Sequence, residues 1–306
     1  MDDVVMISVL YPGQTFNEMQ KYYDQIFQNH MNFAGYNNIP YKLYNDELLM
    51  KYNLIRHHVS PLDSNAKSIN IPYFMPGIGK LYACLQAEKD FPNAKYIMFI
   101  DFDSLFLQNV NIEQESFYEN GKTFRKNKIT RSCRQQTYLY DLSYLYYYCM
   151  YKKITLEQMN TLHYRYNSGL FIIERDTFNL DMVNEYVNFS YSIHLEKCEW
   201  VDMNKLTRTH MNLPYTEVNN NHNPEEHLVF HPSDEVFWQW LHITDPSELS
   251  VFNDNWNYLG APWDIMPDNL TQKQQVEFIQ QKFDIIHAHC IDKSNIAKFI
   301  NYLENK

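Results

Sequence analysis

One stretch decides the fold class of this chain: Tyr96-Ile97-Met98-Phe99-Ile100-Asp101-Phe102-Asp103-Ser104. It begins with an apolar run, and a short run of this kind bounded by polar residues is typical of a buried strand. Residues at i and i+2 of an extended chain point to the same side, so Asp101 and Asp103 are predicted to aim two carboxylates at one point. That point lies at the carboxyl end of the strand, the edge at which open α/β sheets bind their ligands.

The two aspartates predict a cation site. Nearby carboxylates repel each other unless a cation lies between them. Oxygen-liganded ions such as magnesium or manganese suit a pair like Asp101 and Asp103, and a bound divalent ion attracts phosphate groups. Because Asp-x-Asp also occurs by chance in solvated turns, the prediction depends on the elements around the pair.

Strand and helix patterns alternate before the quoted stretch. Residues 4–10 and 39–44 have strand patterns, and residues 79–90 have a helical pattern that ends just ahead of the stretch. A capping box at residues 15–18 predicts a helix that runs to about Asn32. A strand–helix–strand–helix–strand order opens a doubly wound α/β sheet, so an α/β fold is predicted.

The second half of the chain is more irregular and rich in helices. Its predicted elements are strands at 166–174 and 283–287 and helices at 180–195, 232–241 and 294–303, the last with Ser294 as N-cap. Neither an internal repeat nor a low-complexity linker interrupts the sequence, which predicts one domain over residues 1–306.

Composition excludes several functions. The net charge of −11, without a long basic run, argues against a nucleic-acid partner. No apolar run approaches the length of a transmembrane helix, and the amino terminus starts a strand rather than a signal peptide. The 5 cysteines are widely spaced and form no CxxC pair, which predicts reduced thiols and a cytoplasmic protein.

Blocks in the first half resemble nucleotide-sugar glycosyltransferases of the GT-A fold. Lys80-Leu81, Phe91-Pro92-Asn93-Ala94-Lys95-Tyr96 and Asp101-Phe102-Asp103-Ser104 follow one another as in the galactosyl- and xylosyltransferases of family 34. Phe102 stands where that family usually has serine, which is a mild departure.

Blocks in the second half extend the resemblance to the glycogenin-like family 8. They are Tyr166-Asn167-Ser168-Gly169-Leu170, Ser233-Asp234-Glu235 with Asn255-Trp256-Asn257, and His287-Ala288-His289-Cys290-Ile291-Asp292-Lys293. The glycine and the Pro-Trp pair that close family 8 are absent here, which leaves the diphosphate-binding loop without its usual residues.

The resemblance implies a GT-A (Rossmann-like) mixed sheet flanked by helices, and a role for each matched residue. Residues 1 to about 110 would bind the nucleotide, and about 111–306 would bind the acceptor and supply the metal-ligand strand. The implied cofactor is manganese or magnesium, held by Asp101, Asp103 and His287. His289 points the same way as His287 in an extended strand and stays open as the alternative ligand.

The other implied roles concern the UDP-sugar donor. Its nucleobase would stack on Tyr11, its ribose would contact Asp101, and its phosphates would meet Lys80 and Lys293. Asn167, Asp234 and Glu235 would contact the sugar ring as the catalytic set. The predicted reaction is the transfer of galactose, glucose or xylose to a hydroxyl of a glycan or protein, with retained configuration on family grounds alone.

Two rival functions stay open. A catalytically degenerate relative would bind glycans without transferring sugars. The missing residues after His287 leave that alternative open, whereas the intact Asp101, Asp103 and His287 argue against it. Phosphatases of the haloacid-dehalogenase type also carry Asp-x-Asp after an apolar strand, with the first aspartate as nucleophile. Their motif usually opens the chain, whereas two strand–helix units precede Asp101 here. The donor sugar, the acceptor and the oligomeric state do not follow from the sequence.

Overall fold

The computed structural model describes most of the first half of the chain and separate parts of the second. The described residues are 3–10, 20–52, 56–57, 72–73, 76–119, 121–133, 145, 148–159, 166–195, 234–245, 249–253, 270–282, 284–287 and 300.

A six-stranded sheet forms the centre of the fold, in the order β2-β1-β5-β8-β7-β9. Its strands are β1 (Val4–Val9), β2 (Tyr41–Tyr44), β5 (Tyr96–Ile100), β7 (Ile129–Cys133), β8 (Tyr166–Glu174) and β9 (Leu249–Val251). β1 is parallel to β2 and β5, and β7 is parallel to β9, whereas β8 runs antiparallel to both of its neighbours. Two small antiparallel sheets lie outside it: β3 (Arg56–His57) with β4 (Pro72–Tyr73), and β6 (Ser104–Phe106) with β10 (Ile285–His287).

Helices lie between and after the strands of the central sheet along the chain. They are α1 (Tyr23–Tyr36), α2 (Asp46–Lys51), α3 (Pro76–Asp90), α4 (Leu156–Met159), α5 (Leu180–Leu195), α6 (Asp234–Thr244) and α7 (Gln272–Lys282). No helix in the ranges given above is long and apolar enough to cross a membrane. Together, sheet and helices confirm the predicted fold class, a Rossmann-like mixed α/β sheet flanked by helices.

Strand residues alternate between two cores, as the period of two requires. Ile7 and Phe99 face the core that contains residues of α3, α5 and α6. Met6 and Met98, their neighbours in sequence, face the core that contains Phe33 of α1. Both faces of β1 and β5 are therefore covered, which explains why these strands are apolar throughout.

The bounds of two predicted elements match the structure fully, namely β8 and α5. α1 continues to Tyr36, four residues beyond the predicted end, and the predicted capping box at 15–18 lies outside the described residues. The elements that were not predicted from the sequence are α2, β3, β4, β6, β7, α4, β9 and α7. The predicted closing helix at 294–303 lies outside the described residues except for its position 300.

The antiparallel direction of β8 positions the functional site. β5 ends at Ile100, which pairs with Leu170 of β8. Because β8 runs the other way, its first residues lie beside the residues that follow β5. The segment Asn167-Ser168-Gly169 is thereby brought next to Asp101, although 66 positions separate Asn167 from Asp101 in the sequence.

Candidate functional site at the carboxyl end of β5

A turn presents the two aspartates. The Asp101 amide donates a hydrogen bond to the Gly169 carbonyl at 2.8 Å, and the Ser104 amide donates to the Asp101 carbonyl at 3.0 Å. The second bond closes a four-residue turn from Asp101 to Ser104. The strand that was predicted to run through Asp101 and Asp103 thus ends at Ile100. The two carboxylates follow it in a turn rather than in extended chain.

The side chains of the turn divide between core and solvent. Phe102 is buried, and its ring packs against Tyr23 and His30 of the α1 side at centroid distances of 5.4 and 5.7 Å. Asp101 and Asp103 are half-buried. Because Phe102 anchors the centre of the turn, the aspartates on either side of it are held at the surface of the sheet edge. A serine at this position would fill less of this apolar contact.

Lys80 of α3 reaches the turn from the opposite face of the sheet. Its ammonium lies 2.8 Å from one carboxylate oxygen of Asp101 and 3.0 Å from the other. It also donates to the carbonyl and the hydroxyl of Ser168, at 3.3 and 3.2 Å. Lys80 therefore joins α3, the turn that follows β5, and β8 at one point.

The charge of Lys80 is stabilised by several carboxylates. Burial by itself lowers the pKa of this amine, but the negative charges of Asp101, Asp234 and Glu235 outweigh the burial and raise the pKa above its usual value. The ammonium is thus fully charged at neutral pH. Among the described residues of the site, Lys80 is the cation that these carboxyl groups surround, so this part of the site has a net negative charge.

Asp234 and Glu235 begin α6, where the helix dipole favours carboxylates. Both are buried, and both lie close enough to Lys80 to act on its charge. Asn167 donates to Glu235 at 3.4 Å and accepts a hydrogen bond from the Gly169 amide at 2.7 Å. The predicted catalytic set of Asn167, Asp234 and Glu235 is therefore brought together with Lys80 and Asp101.

Asp234 is the most strongly perturbed acid of the group. Burial raises the pKa of its carboxyl group to about 6, with further upward contributions from Glu235 and Asp101, while Lys80 and a hydrogen bond from Ser168 act in the opposite direction. None of the described residues hydrogen-bonds to its Oδ2 atom, which is buried. A buried carboxylate oxygen without a partner is costly, and a ligand hydroxyl would supply the missing bond.

Close packing of α3 against α6 fixes the position of Asp234. A Cβ atom built on Gly77 would lie 2.5 Å from Asp234 Oδ1 and 3.3 Å from its backbone nitrogen. Real Cβ atoms essentially never approach another atom to 2.5 Å, so a larger residue at position 77 would force the Asp234 carboxylate to shift. Gly77 was not predicted as a site residue, although the scarcity of glycine in the chain (7 residues) made each one informative.

β10 brings His287 beside the turn. The register of the β6–β10 pair sets His287 opposite Ser104, the residue that follows Asp103. The backbone of His287 therefore lies next to the end of the Asp101–Ser104 turn. The side chain of His287, and the predicted residues Tyr11, His289 and Lys293, lie outside the described residues.

The donor chemistry of the turn fits a hard divalent cation. Asp101 and Asp103 offer carboxylate oxygens at a half-buried edge whose net charge is negative. Within the described parts of the chain, no three His, Cys, Asp or Glu side chains gather closely enough to hold a metal ion. A site built on Asp101 and Asp103 would therefore need a ligand from outside those parts, such as the His287 imidazole, or from the substrate.

Sequence reasoning also missed His30, which lies under the turn. Its ring is fully buried, and its Nε2 lies 2.8 Å from the Ser104 carbonyl oxygen. His30 shares the buried face of α1 with Ile26, Phe33 and Ala34. This spacing was the available signal, but a single histidine on an apolar helical face is usually a structural residue.

Comparisons with known proteins give distant likenesses. No protein-family model matches this chain, and no curated protein matches it. One similar solved structure is a glycosyltransferase involved in the glycosylation of the major capsid of PBCV-1, at 11% identity and TM-score 0.46, covering 99% of this chain and 99% of that chain.

Two further solved structures are similar at the same level. Mouse xyloside xylosyltransferase 1, in its apo form, has 12% identity and TM-score 0.38, covering 94% of this chain and 98% of that chain. The apo WbbM bifunctional glycosyltransferase has 13% identity and TM-score 0.40. The match covers 99% of this chain and 50% of that chain. At such TM-scores no function passes from these proteins to the chain, and any assignment has to come from the site itself.

Proposed function

We propose that the chain is a metal-dependent glycosyltransferase that moves a sugar from a UDP-sugar to a hydroxyl acceptor. The observation that carries the proposal is the meeting of Lys80, Asp101, Ser168 and Asp234 at the carboxyl edge of β5. These residues come from α3, the turn after β5, β8 and α6, and they provide a cation, carboxylates and a hydroxyl at one point. Such a mixture suits a ligand that is anionic at one end and rich in hydroxyls at the other.

The anionic end would be the diphosphate. Lys80 offers a point charge for phosphate oxygens, held by two hydrogen bonds to Ser168 and its ion pair with Asp101. A divalent cation at Asp101 and Asp103 would supply Lewis-acid stabilisation of the leaving diphosphate. The carboxylates by themselves repel a diphosphate, so the proposal requires that cation.

The hydroxyl-rich end would be the donor sugar. Asn167 carries both a donor and an acceptor, and it is oriented by its contacts with Glu235 and Gly169. The Oδ2 atom of Asp234 is a buried acceptor with no hydrogen-bond partner among the described residues, and a sugar hydroxyl would fill that role. Retention of configuration, with the acceptor attacking on the face that the diphosphate leaves, is part of the proposal.

The donor sugar is proposed to be of the galactose, glucose or xylose class, and the acceptor a glycan or protein hydroxyl. A panel of UDP-sugars incubated with the chain, with and without Mn²⁺, tests the first step. We expect hydrolysis of at least one UDP-sugar with Mn²⁺ and little without it. Hydrolysis that is unaffected by removal of the cation would contradict the metal requirement.

Variants of the turn link that activity to the site. Asp101→Ala and Asp103→Ala are each expected to abolish hydrolysis, because each removes a ligand of the cation. The matched control is Asp245→Ala, which removes an exposed aspartate that follows the last residue of α6 and pairs with Lys128 at 2.9 Å. Full activity in both turn variants would overturn the assignment of the metal site.

Two further measurements separate the rivals. Calorimetry with UDP, with and without Mn²⁺, detects a binding protein even where hydrolysis is absent. Binding without turnover of any UDP-sugar would favour the glycan-binding alternative. Inhibition by aluminium fluoride would instead favour the phosphatase, in which Asp101 is the nucleophile.

A further inference from the structure

His30 makes a defined set of hydrogen bonds beneath the aspartate turn. Its Nε2 lies 2.8 Å from the carbonyl oxygen of Ser104, which can only accept. Its Nδ1 lies 3.0 Å from the Tyr41 hydroxyl and 3.4 Å from the Ser8 hydroxyl, both of which can donate. Nε2 therefore carries a proton and donates it to the carbonyl of Ser104. Because full burial disfavours the charged imidazolium, the ring is neutral and Nδ1 accepts from the hydroxyls.

The orientation of the His30 ring is fixed on several sides. The rings of Tyr41, Phe102 and Phe106 lie edge-on to it, at centroid distances of 5.5, 5.7 and 5.6 Å. Asn29, the preceding residue of α1, accepts a hydrogen bond from the Phe106 amide and donates one to the Phe106 carbonyl, each at 2.9 Å. Two successive residues of α1 thus hold the start and the end of β6.

Ser104 occupies a junction between the parts of the cation site. Its amide closes the turn that contains Asp101 and Asp103. In the β6–β10 pair it lies opposite His287. A displacement of the Ser104 carbonyl would therefore move Asp103, its neighbour in the chain, relative to the strand that carries His287.

We propose that His30 is a positioning residue for the cation site. By holding the Ser104 carbonyl, its Nε2–H fixes the Asp101–Ser104 turn in the geometry that directs Asp103 to the cation and to β10. His30 does not touch the cation or the substrate, since the backbone of Ser104 lies between. The inference rests on the proposed function, because it requires that the turn binds a divalent ion.

Two matched substitutions isolate the hydrogen bond. The amide of glutamine reaches about as far as Nε2 of histidine, whereas the amide of asparagine reaches only as far as Nδ1. His30→Gln therefore keeps a donor for the Ser104 carbonyl, and His30→Asn loses it while retaining a polar group near Tyr41 and Ser8. Ile26→Ala is the control, because Ile26 is a buried residue of the same helix without a hydrogen bond to the turn.

The primary measurement is the affinity of the full chain for Mn²⁺ in the presence of UDP, determined by titration. We expect His30→Asn to lose affinity on the order of tenfold, as is typical when an outer partner of a metal ligand is removed. His30→Gln and Ile26→Ala are expected to stay near the wild-type affinity. In the hydrolysis assay, His30→Asn should need more Mn²⁺ for half-maximal rate and should approach the wild-type rate at saturation.

Several outcomes would overturn the inference. The first is an unchanged Mn²⁺ affinity in folded His30→Asn. The second is an equal loss of Mn²⁺ affinity in His30→Asn and Ile26→Ala, which would indicate general destabilisation. A wild-type chain that binds no Mn²⁺ contradicts the proposed function itself, which makes the two failures distinguishable.

A measurement on the wild-type chain covers the case in which His30→Asn does not fold. The Nε2 proton of His30 is buried and bonded, so its resonance should be visible in nitrogen-15-labelled protein. We expect this resonance to shift when the diamagnetic ion Mg²⁺ is added with UDP. A resonance that does not move on saturation would contradict a link between His30 and the cation site.

Discussion

The ammonium of Lys80 lies 2.8 Å from a carboxylate oxygen of Asp101, and only 12% and 15% of the two side chains are exposed. The aspartate that is proposed to bind a cation therefore already has a cationic partner from the protein. A divalent ion at Asp101 has to share the carboxylate with the ammonium or displace it. The Lys80–Asp101 pair thus couples α3 to the binding of a ligand at the Asp101–Ser104 turn.

Replacing Lys80 should lower the stability of the fold and increase the stabilisation that added Mn²⁺ provides. In Lys80→Met the carboxylate of Asp101 is left in a mostly buried position without its partner, which should lower the free energy of unfolding by about 3 kcal/mol. Added Mn²⁺ should restore more stability to this variant than to the wild type, because the ammonium no longer competes for Asp101. Urea denaturation with and without Mn²⁺ measures both effects.

The control for this prediction is an ion pair in an exposed setting. Lys42 pairs with Asp90 at 2.6 Å, and 42% of the Lys42 side chain is exposed. Lys42→Met should therefore change the free energy of unfolding by less than about 1 kcal/mol and leave the response to Mn²⁺ unaltered. Equal losses in the two methionine variants would contradict a special role for the Lys80–Asp101 pair.

Gly77 should not tolerate a methyl group while Asp234 is present. The added Cβ would lie 2.5 Å from Asp234 Oδ1, so Gly77→Ala is expected to destabilise the fold by about 1–3 kcal/mol through overpacking. Gly35→Ala is the matched control in α1, since nothing lies within 4 Å of its Cβ. It should be neutral or stabilising by up to about 1 kcal/mol.

A double-mutant cycle assigns the Gly77 effect to this contact. In an Asp234→Ala background the carboxylate is gone, so Gly77→Ala should cost much less than it does in the wild type. Chemical denaturation of the four proteins of the cycle gives the interaction energy. Additive effects would show that the clash lies elsewhere.

The buried carboxyl group of Asp234 should make stability depend on pH. Its pKa is raised from 3.8 to about 6 in the folded chain, so the folded state binds a proton that the unfolded state has released. The burial of the charged carboxylate therefore lowers the free energy of unfolding above pH 6. This destabilisation declines as the pH falls and is absent below pH 3.8. Since a shift of one pKa unit is about 1.4 kcal/mol, the cost at neutral pH is about 3 kcal/mol.

The variant Asp234→Asn tests this pH dependence. It should be more stable than the wild type at pH 7 and lose that advantage near pH 4, where the wild-type carboxyl group is neutral. The free energy of unfolding, measured for both proteins between pH 4 and pH 8, gives the difference curve. A difference that is constant with pH would contradict the raised pKa of Asp234.

The elements that could be predicted from the sequence are those whose own pattern decides their structure. β5 and β8 are buried on both faces and read as apolar runs, and the helix α5 has a regular apolar spacing. β7 (Ile-Thr-Arg-Ser-Cys) was missed because its mixed sequence has no strand pattern of its own. It becomes a strand by pairing with β8 and β9, which is a tertiary effect.

The candidate site likewise contains residues that the sequence predicted and one that it did not. Lys80, Asn167 and Asp234 were predicted from motif blocks, and the structure brings them together around Asp101. His30 was not predicted, because its role depends on a carbonyl 74 positions away, and sequence patterns do not report such contacts.

His30 should lower the stability of the fold in mild acid. Burial lowers its pKa from 6.5 to about 4, opposed by the Ser104 carbonyl and the charge of Asp103. Between these two pKa values the unfolded chain takes up a proton that the folded chain does not, so stability falls as the pH drops from 6.5 to 4. The loss attributable to His30 is about 3 kcal/mol, since each pKa unit corresponds to about 1.4 kcal/mol.

Other histidines and carboxyl groups titrate in the same range, so the measurement is a difference between proteins. Glutamine does not titrate, and His30→Gln should therefore lose about 3 kcal/mol less than the wild type between pH 6.5 and pH 4. The difference should be constant above and below that window. Ile26→Ala, which changes no titrating group, should run parallel to the wild type throughout. If His30→Gln also runs parallel to the wild type, the imidazole is not held neutral beneath Ser104, and the donor role assigned to its Nε2 loses its basis.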